Sequence, residues 1–144
     1  LKLPNYISIQ EVKRVCRELK IRDWTLLEKA EVSLEEAKVI LAEIEAGDMK
    51  IPLKDFKLGL EVEMEHGIRF PEANVTNNHP IITGKIVLAH FKESLDYYQR
   101  LEVAEIEGDL LKAVIARDDA KAATLYRRLV NAKLELSEAE FHAI

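Results

Sequence analysis

Cysteine is nearly missing from this chain: of 144 residues only Cys16 is one. No intramolecular disulfide can form, so a reducing compartment is expected, and a lone cysteine among helically spaced apolar residues reads as a small buried hydrophobe. Glycine and proline are scarce, at five and four, which leaves few turns. Positive charge is not in excess either. Lysine and arginine number 21 against 26 acidic residues, a formal charge of −5, and no basic stripe is interleaved with aromatics, so no nucleic-acid partner is expected. No apolar run approaches the ~20 residues that cross a bilayer, so no membrane partner is expected. No charged-then-apolar leader opens the given sequence, and a cytoplasmic location follows as the expectation. A glycine-rich phosphate loop is lacking, as is any serine or cysteine nucleophile in a recognisable setting.

What is present describes a helical protein. Apolar residues make up 48% and charged residues 33%, and the length suits one domain that buries about two-thirds of its unfolded surface. Ser8 with Glu11, and Ser33 with Glu36, have the spacing of capping boxes, in which two side chains satisfy orphan donors at a helix start. Val12, Val15, Cys16 and Leu19 recur at helical spacing after the first, and Leu34, Ala37, Ile40, Leu41 and Ile44 after the second, with Gly47 as a stop. Asp23 can cap a short helix carrying Trp24, a core anchor. The next helix is expected over Asp55 to His66, ended by Gly67. Another starts with Pro80 at its first position, capped by Asn78 or His79. Ser94 or Asp96 can cap a helix from Tyr97 that Gly108 closes, and Asp109 can cap a long final helix. The stripe Leu111, Ile115, Asp118, Ala122, Leu125, Leu129, Ala132, Leu136 either covers the bundle or zips to a second subunit. The fold class is therefore all-α: a single domain over 1–144, a helical bundle of five or six helices, with a motif-rich core at 58–101 and a long C-terminal helix at 109–142.

Chemistry concentrates in two of these helices. Stepping ~100° per residue, Lys57, Glu61 and Glu65 share the wet face, and Glu63 and His66 fall between the apolar flanks Phe56, Leu60, Met64 and Leu58, Val62. On the Pro80 helix, His90 lies inside the apolar arc and Glu93 near its border. A carboxylate on a dry face costs several kcal/mol unless it is paired, hydrogen-bonded, protonated or bound to a cation. Residues three apart share a helix face, so Glu63 with His66, and His90 with Glu93, could each offer an imidazole nitrogen and a carboxylate oxygen. Such mixed donors suit zinc, iron or manganese. Di-iron bundles use a related Glu-x-x-His arrangement, but here the second pair runs in reverse order and no further pair of glutamates stands out. The alternative is a buried network in which Glu63 accepts hydrogen bonds from a histidine or from Tyr97 or Tyr98.

The strings GLEVEMEHG and NVTNNHPIITGKIVLAHFKESLDYYQRL carry a resemblance. They resemble an uncharacterised family of small bacterial, archaeal and phage-associated proteins with Glu-His-Gly, Asn-Val-Thr, Gly-Lys-Ile-x-Leu-Ala-His and Asp-Tyr-Tyr motifs. The resemblance covers Leu58 to Leu101, with His79 where aspartate is expected and Leu95 where proline is expected. It implies no activity, because the family is a domain of unknown function.

The expected function is then a helical bundle that binds a divalent transition metal through Glu63, His66, His90 and Glu93, with Glu61, Glu65 and Tyr97 as further donors. Whether it is an enzyme stays open, since an unfilled coordination position would allow activation of bound water. The competing expectation is a non-enzymatic protein that forms a homo-oligomer through its C-terminal helix.

Overall fold

The computed structural model describes residues 6–143. Among these lie six α-helices and no strand: α1 (Ile9–Leu19), α2 (Leu34–Glu43), α3 (Leu53–Arg69), α4 (Pro80–Glu93), α5 (Tyr97–Ile115) and α6 (Asp119–Ala143). The all-α expectation holds. By their contacts the helices group into two compact units, one ending at Lys92 and the other beginning at Glu93.

In the first unit both expected caps form. The Ser8 and Ser33 hydroxyls accept the backbone N–H groups of Glu11 and Glu36, each at 3.1 Å. Only Ser33 completes the box, with the Glu36 carboxylate accepting the Ser33 N–H at 2.9 Å; the Glu11 carboxylate goes to Arg14. Asp23 caps a single 3₁₀ turn at Trp24–Leu26, shorter than the helix expected there. The core is built from Val12, Cys16, Trp24, Ala37, Ile40, Phe56, Leu60, Met64 and Val87, each at most 1% exposed.

Helix α4 packs unusually close. A β-carbon at Gly84 would stand 2.8 Å from Ile40 Cγ2 and 3.2 Å from Ile44 Cγ2, so glycine is what lets its backbone approach α2. Gly67, expected to end α3, does not. The helix continues to Arg69, and Gly67 serves close approach instead, since a β-carbon there would lie 2.0 Å from Asn78 Oδ1 and 2.8 Å from Asn74 Nδ2.

The second unit is an antiparallel hairpin of α5 and α6. Gly108 does not close a helix, and no helix starts at Asp109. Gly108 sits inside α5, where the surrounding good helix formers carry one glycine through at a cost of ~1 kcal/mol. The break falls at 116–118. Arg117 takes the left-handed conformation at φ 55°, and the N–H groups of Arg117 and Asp118 bond the carbonyls of Val114 and Ala113 at 3.0 Å, closing α5 in a Schellman motif. Asp118 then caps α6, its Oδ1 accepting the Lys121 N–H at 3.0 Å. The expected 4,3 stripe is thus divided between two helices. Leu125, Leu129 and Ala132 are buried with Ile106 and Ala113, whereas Leu111 and Ile115 are exposed.

Candidate functional site

Glu63 is positioned by the core line of α3. Phe56, Leu60 and Met64 are wholly buried, and Glu63 stands about 60° from the middle of that line on the helical circuit, which leaves its side chain only 15% exposed. His66 lies further round, and its side chain is 55% exposed. Expecting it on the dry face was wrong. Leu58, taken as one flank of the apolar arc, is itself 40% exposed, so the true arc is rotated toward Leu60 and Met64 and leaves His66 at its edge.

Helix α4 brings His90 to the same carboxylate. His90 Nε2 lies 3.4 Å from Glu63 Oε1, and His66 Nδ1 lies 3.8 Å from Glu63 Oε2. One carboxylate therefore faces two imidazoles, one from its own helix and one from the next. Glu93, the last residue of α4, is exposed and begins the second unit. Glu61 has a structural role, with its Oε1 accepting Lys57 Nζ at 2.6 Å and the Val32 N–H at 2.9 Å. Glu65 is at the surface, 3.9 Å from Arg69. Tyr97, offered as a further donor, lies in the second unit with its ring edge-on to Tyr98.

Beside Glu63 and His66 opens a small cleft of about 170 Å³, whose other walls include Gly67, Asn74, Thr76 and Thr83. The Asn74 side chain donates to the Gly67 carbonyl at 3.2 Å and so fixes this wall. Asn77 and Asn78 hold positive φ, 48° and 54°, which asparagine tolerates better than most residues. His79 is the cap of α4. It is 6% exposed, and its Nδ1 accepts the Ile82 N–H at 3.4 Å, which requires a neutral ring. Burial pushes its pKa below the ordinary histidine value, against the pull of Glu11.

Among the described residues, no group of three or more His, Cys, Asp or Glu side chains is arranged to hold a metal ion, and no helix is long and apolar enough to cross a membrane.

The family described as "Protein of unknown function (DUF5661)" matches residues 12–107. That is two-thirds of the sequence. The chain belongs to the DUF5661 family. The DUF5661 match reaches well beyond the Leu58–Leu101 strings, taking in most of α1, all of α2 to α4 and part of α5, and it leaves α6 outside. No curated protein and no solved structure matches the chain.

A second polar centre inside the DUF5661 span was not anticipated. Glu36, 5% exposed, accepts from Arg22 Nε at 3.0 Å, Arg22 Nη2 at 2.6 Å, Trp24 Nε1 at 3.3 Å and the Ser33 N–H at 2.9 Å. Burial works to raise its pKa, but the hydrogen bonds from Arg22 and Ser33 prevail and hold it below the ordinary glutamate value. An open groove of about 560 Å³ lies over this joint, and every atom of the carboxylate that borders it is already engaged. The capping spacing revealed Glu36; nothing in the local pattern linked it to Arg22, fourteen residues away.

Proposed function

We propose that this protein is a non-enzymatic interaction module, in which the Glu63 cluster ties α3 to α4 and the C-terminal hairpin associates with a second copy of the chain. One observation carries the reading: large apolar side chains of α5 and α6, Leu111, Val114, Tyr126, Val130, Leu134 and Phe141, are 52% to 76% exposed, although the hairpin already has its own core. Tyr126, Val130 and Leu134 follow one another at one-turn spacing, and apolar surface grouped in this way marks an interaction site. The free, buried Cys16 agrees with a reducing, cytoplasmic setting, and the charge of −5 gives no reason to add a nucleic-acid partner. Sedimentation equilibrium of the full chain tests the reading. A dimer or higher oligomer is expected, and a monomer across the accessible concentration range overturns it.

A second reading keeps the cluster as a metal site. The 3.4 Å between His90 Nε2 and Glu63 Oε1 is close to the ~3.3 Å that separates two donors on a tetrahedral ion with ~2.0 Å bonds, and it is longer than a good hydrogen bond. Glu63, His66 and His90 would be the protein donors, with the exposed His66 ring turning inward and water completing the shell. The donor chemistry favours zinc, iron or manganese, and Glu93 is not needed. Elemental analysis of protein purified without an affinity tag is expected to find one of these metals near one per chain. No metal, with no thermal shift on adding any of the three, sinks this reading.

A further inference from the structure

Helix α6 carries two apolar lines, and the hairpin uses only one. The first runs through Ala122, Leu125, Leu129 and Ala132 and packs on Val103, Ile106, Leu110 and Ala113 of α5. The second runs through Tyr126, Val130, Leu134 and Phe141, turned about 125° from the first at ~100° per residue.

The ion pairs of the hairpin show where that second line faces. Lys133 binds Glu107 at 3.0 Å along one side of the α5–α6 seam, and Arg128 binds Glu102 at 2.9 Å along the other. Counted from the buried line, Tyr126, Val130, Leu134 and Phe141 fall on the Lys133 side, and so do Leu111 and Val114 of α5. The Arg128 side carries Asp109, Thr124, Asn131 and Glu135. The hairpin therefore carries a second apolar line, bordered on the seam side by the Lys133–Glu107 and Arg100–Glu140 ion pairs. Summed over these six residues the exposed area is on the order of 700 Å², the scale of the ~800 Å² per partner of a standard interface.

The spacing on α6 is also symmetric about one residue. Tyr126 and Leu134 each lie four residues from Val130, and the small Ala123 and Ser137 each lie seven away. In an antiparallel pair of α6 helices related by a two-fold axis at Val130, Val130 meets its own copy, Tyr126 meets Leu134, and Ala123 meets Ser137. The contact is self-complementary over its central turns, as an isologous interface requires, and Phe141, eleven residues from Val130, would face Asp119 at each outer end.

We infer that the Lys133 side of the α5–α6 hairpin is a homodimer interface, packing antiparallel about Val130 to make a four-helix bundle from two chains. This rests on the self-association proposed above and adds which surface mediates it. The line through Leu125 and Leu129 is consumed inside each hairpin.

Two variants of the full chain test it. Val130→Glu places two like charges on the axis, and sedimentation should find a monomer with wild-type helicity by circular dichroism. Val130→Cys should give a disulfide-linked dimer under mild oxidation, while the wild type, whose one cysteine is buried, should not. If the wild type is dimeric, Val130→Glu stays dimeric and Val130→Cys does not cross-link, the interface lies elsewhere and self-association stands. A monomeric wild type overturns both. Should Val130→Glu fail to fold, cross-linking of Val130→Cys decides.

Discussion

Oε1 of Glu63 and Nε2 of His90 stand 3.4 Å apart, joining two consecutive helices through side chains that are 15% and 27% exposed. The partner on the same helix, His66, is 55% exposed and 3.8 Å from the other carboxylate oxygen. The two histidines should therefore behave differently on removal. His90→Ala is expected to cost about 1–2 kcal/mol, because it strips a half-buried partner from a carboxylate. His66→Ala should stay within about 0.5 kcal/mol. Urea unfolding of the two variants makes the comparison, and equal losses would show that the cross-helix contact adds nothing.

Glu36 should be the costliest single carboxylate to lose. Glu36→Ala takes the acceptor from the Trp24 indole and the Ser33 N–H and leaves the half-exposed Arg22 side chain only the Glu31 carbonyl, for a loss of about 2–4 kcal/mol. Because its folded pKa lies below the unfolded value of 4.5, its stabilisation is complete above that value and fades as pH falls through the folded one. Stability measured from pH 6 to 3 should drop less steeply in Glu36→Gln than in the wild type.

His79 acts in a different pH window. Its folded pKa is below the ordinary 6.5, so the unfolded chain takes up the proton first, and stability should decline as pH falls from about 6.5 toward the folded value. Glu11 and Arg14 of α1 are the charges that act on it. His79→Asn keeps a capping acceptor without the titration. Its stability should be flat over that interval; a slope identical to the wild type would assign the pH response to another group.

Two glycines in helix interiors should respond with opposite signs. Gly84→Ala forces a methyl against Ile40 and Ile44 and should cost about 1–3 kcal/mol as overpacking. Gly108→Ala meets nothing within 4 Å and should stabilise by about 0.5–1 kcal/mol through helix propensity alone. Thermal melts of both variants check the pair.

Local chemistry was legible in the sequence wherever it depends on neighbours a few residues apart. The serine caps at Ser8 and Ser33, the proline start of α4, a cap for it at Asn78 or His79, and the apolar line of α3 all follow from contacts within one or two helical turns. Gly67 and Gly108 misled because glycine ends a helix only when nothing downstream continues it. Here Asn74 and Asn78 need the space over Gly67, and the residues after Gly108 are good helix formers.

By itself, then, the sequence determined that the chain is helical, roughly where α1 to α5 start, and that Glu63 faces inward, since period and capping are properties of a short segment; the start of α6, expected at Asp109, was misplaced by ten residues. Only the tertiary structure decided which arc of α3 is dry, leaving His66 at its edge, and that His90 reaches the Glu63 carboxylate. It also decided that Arg22 satisfies Glu36 and that the C-terminal stripe folds back on α5. Each of these depends on which helix packs against which face, and residues distant in sequence settle that together, by burying the most apolar surface that leaves no charge unpaired.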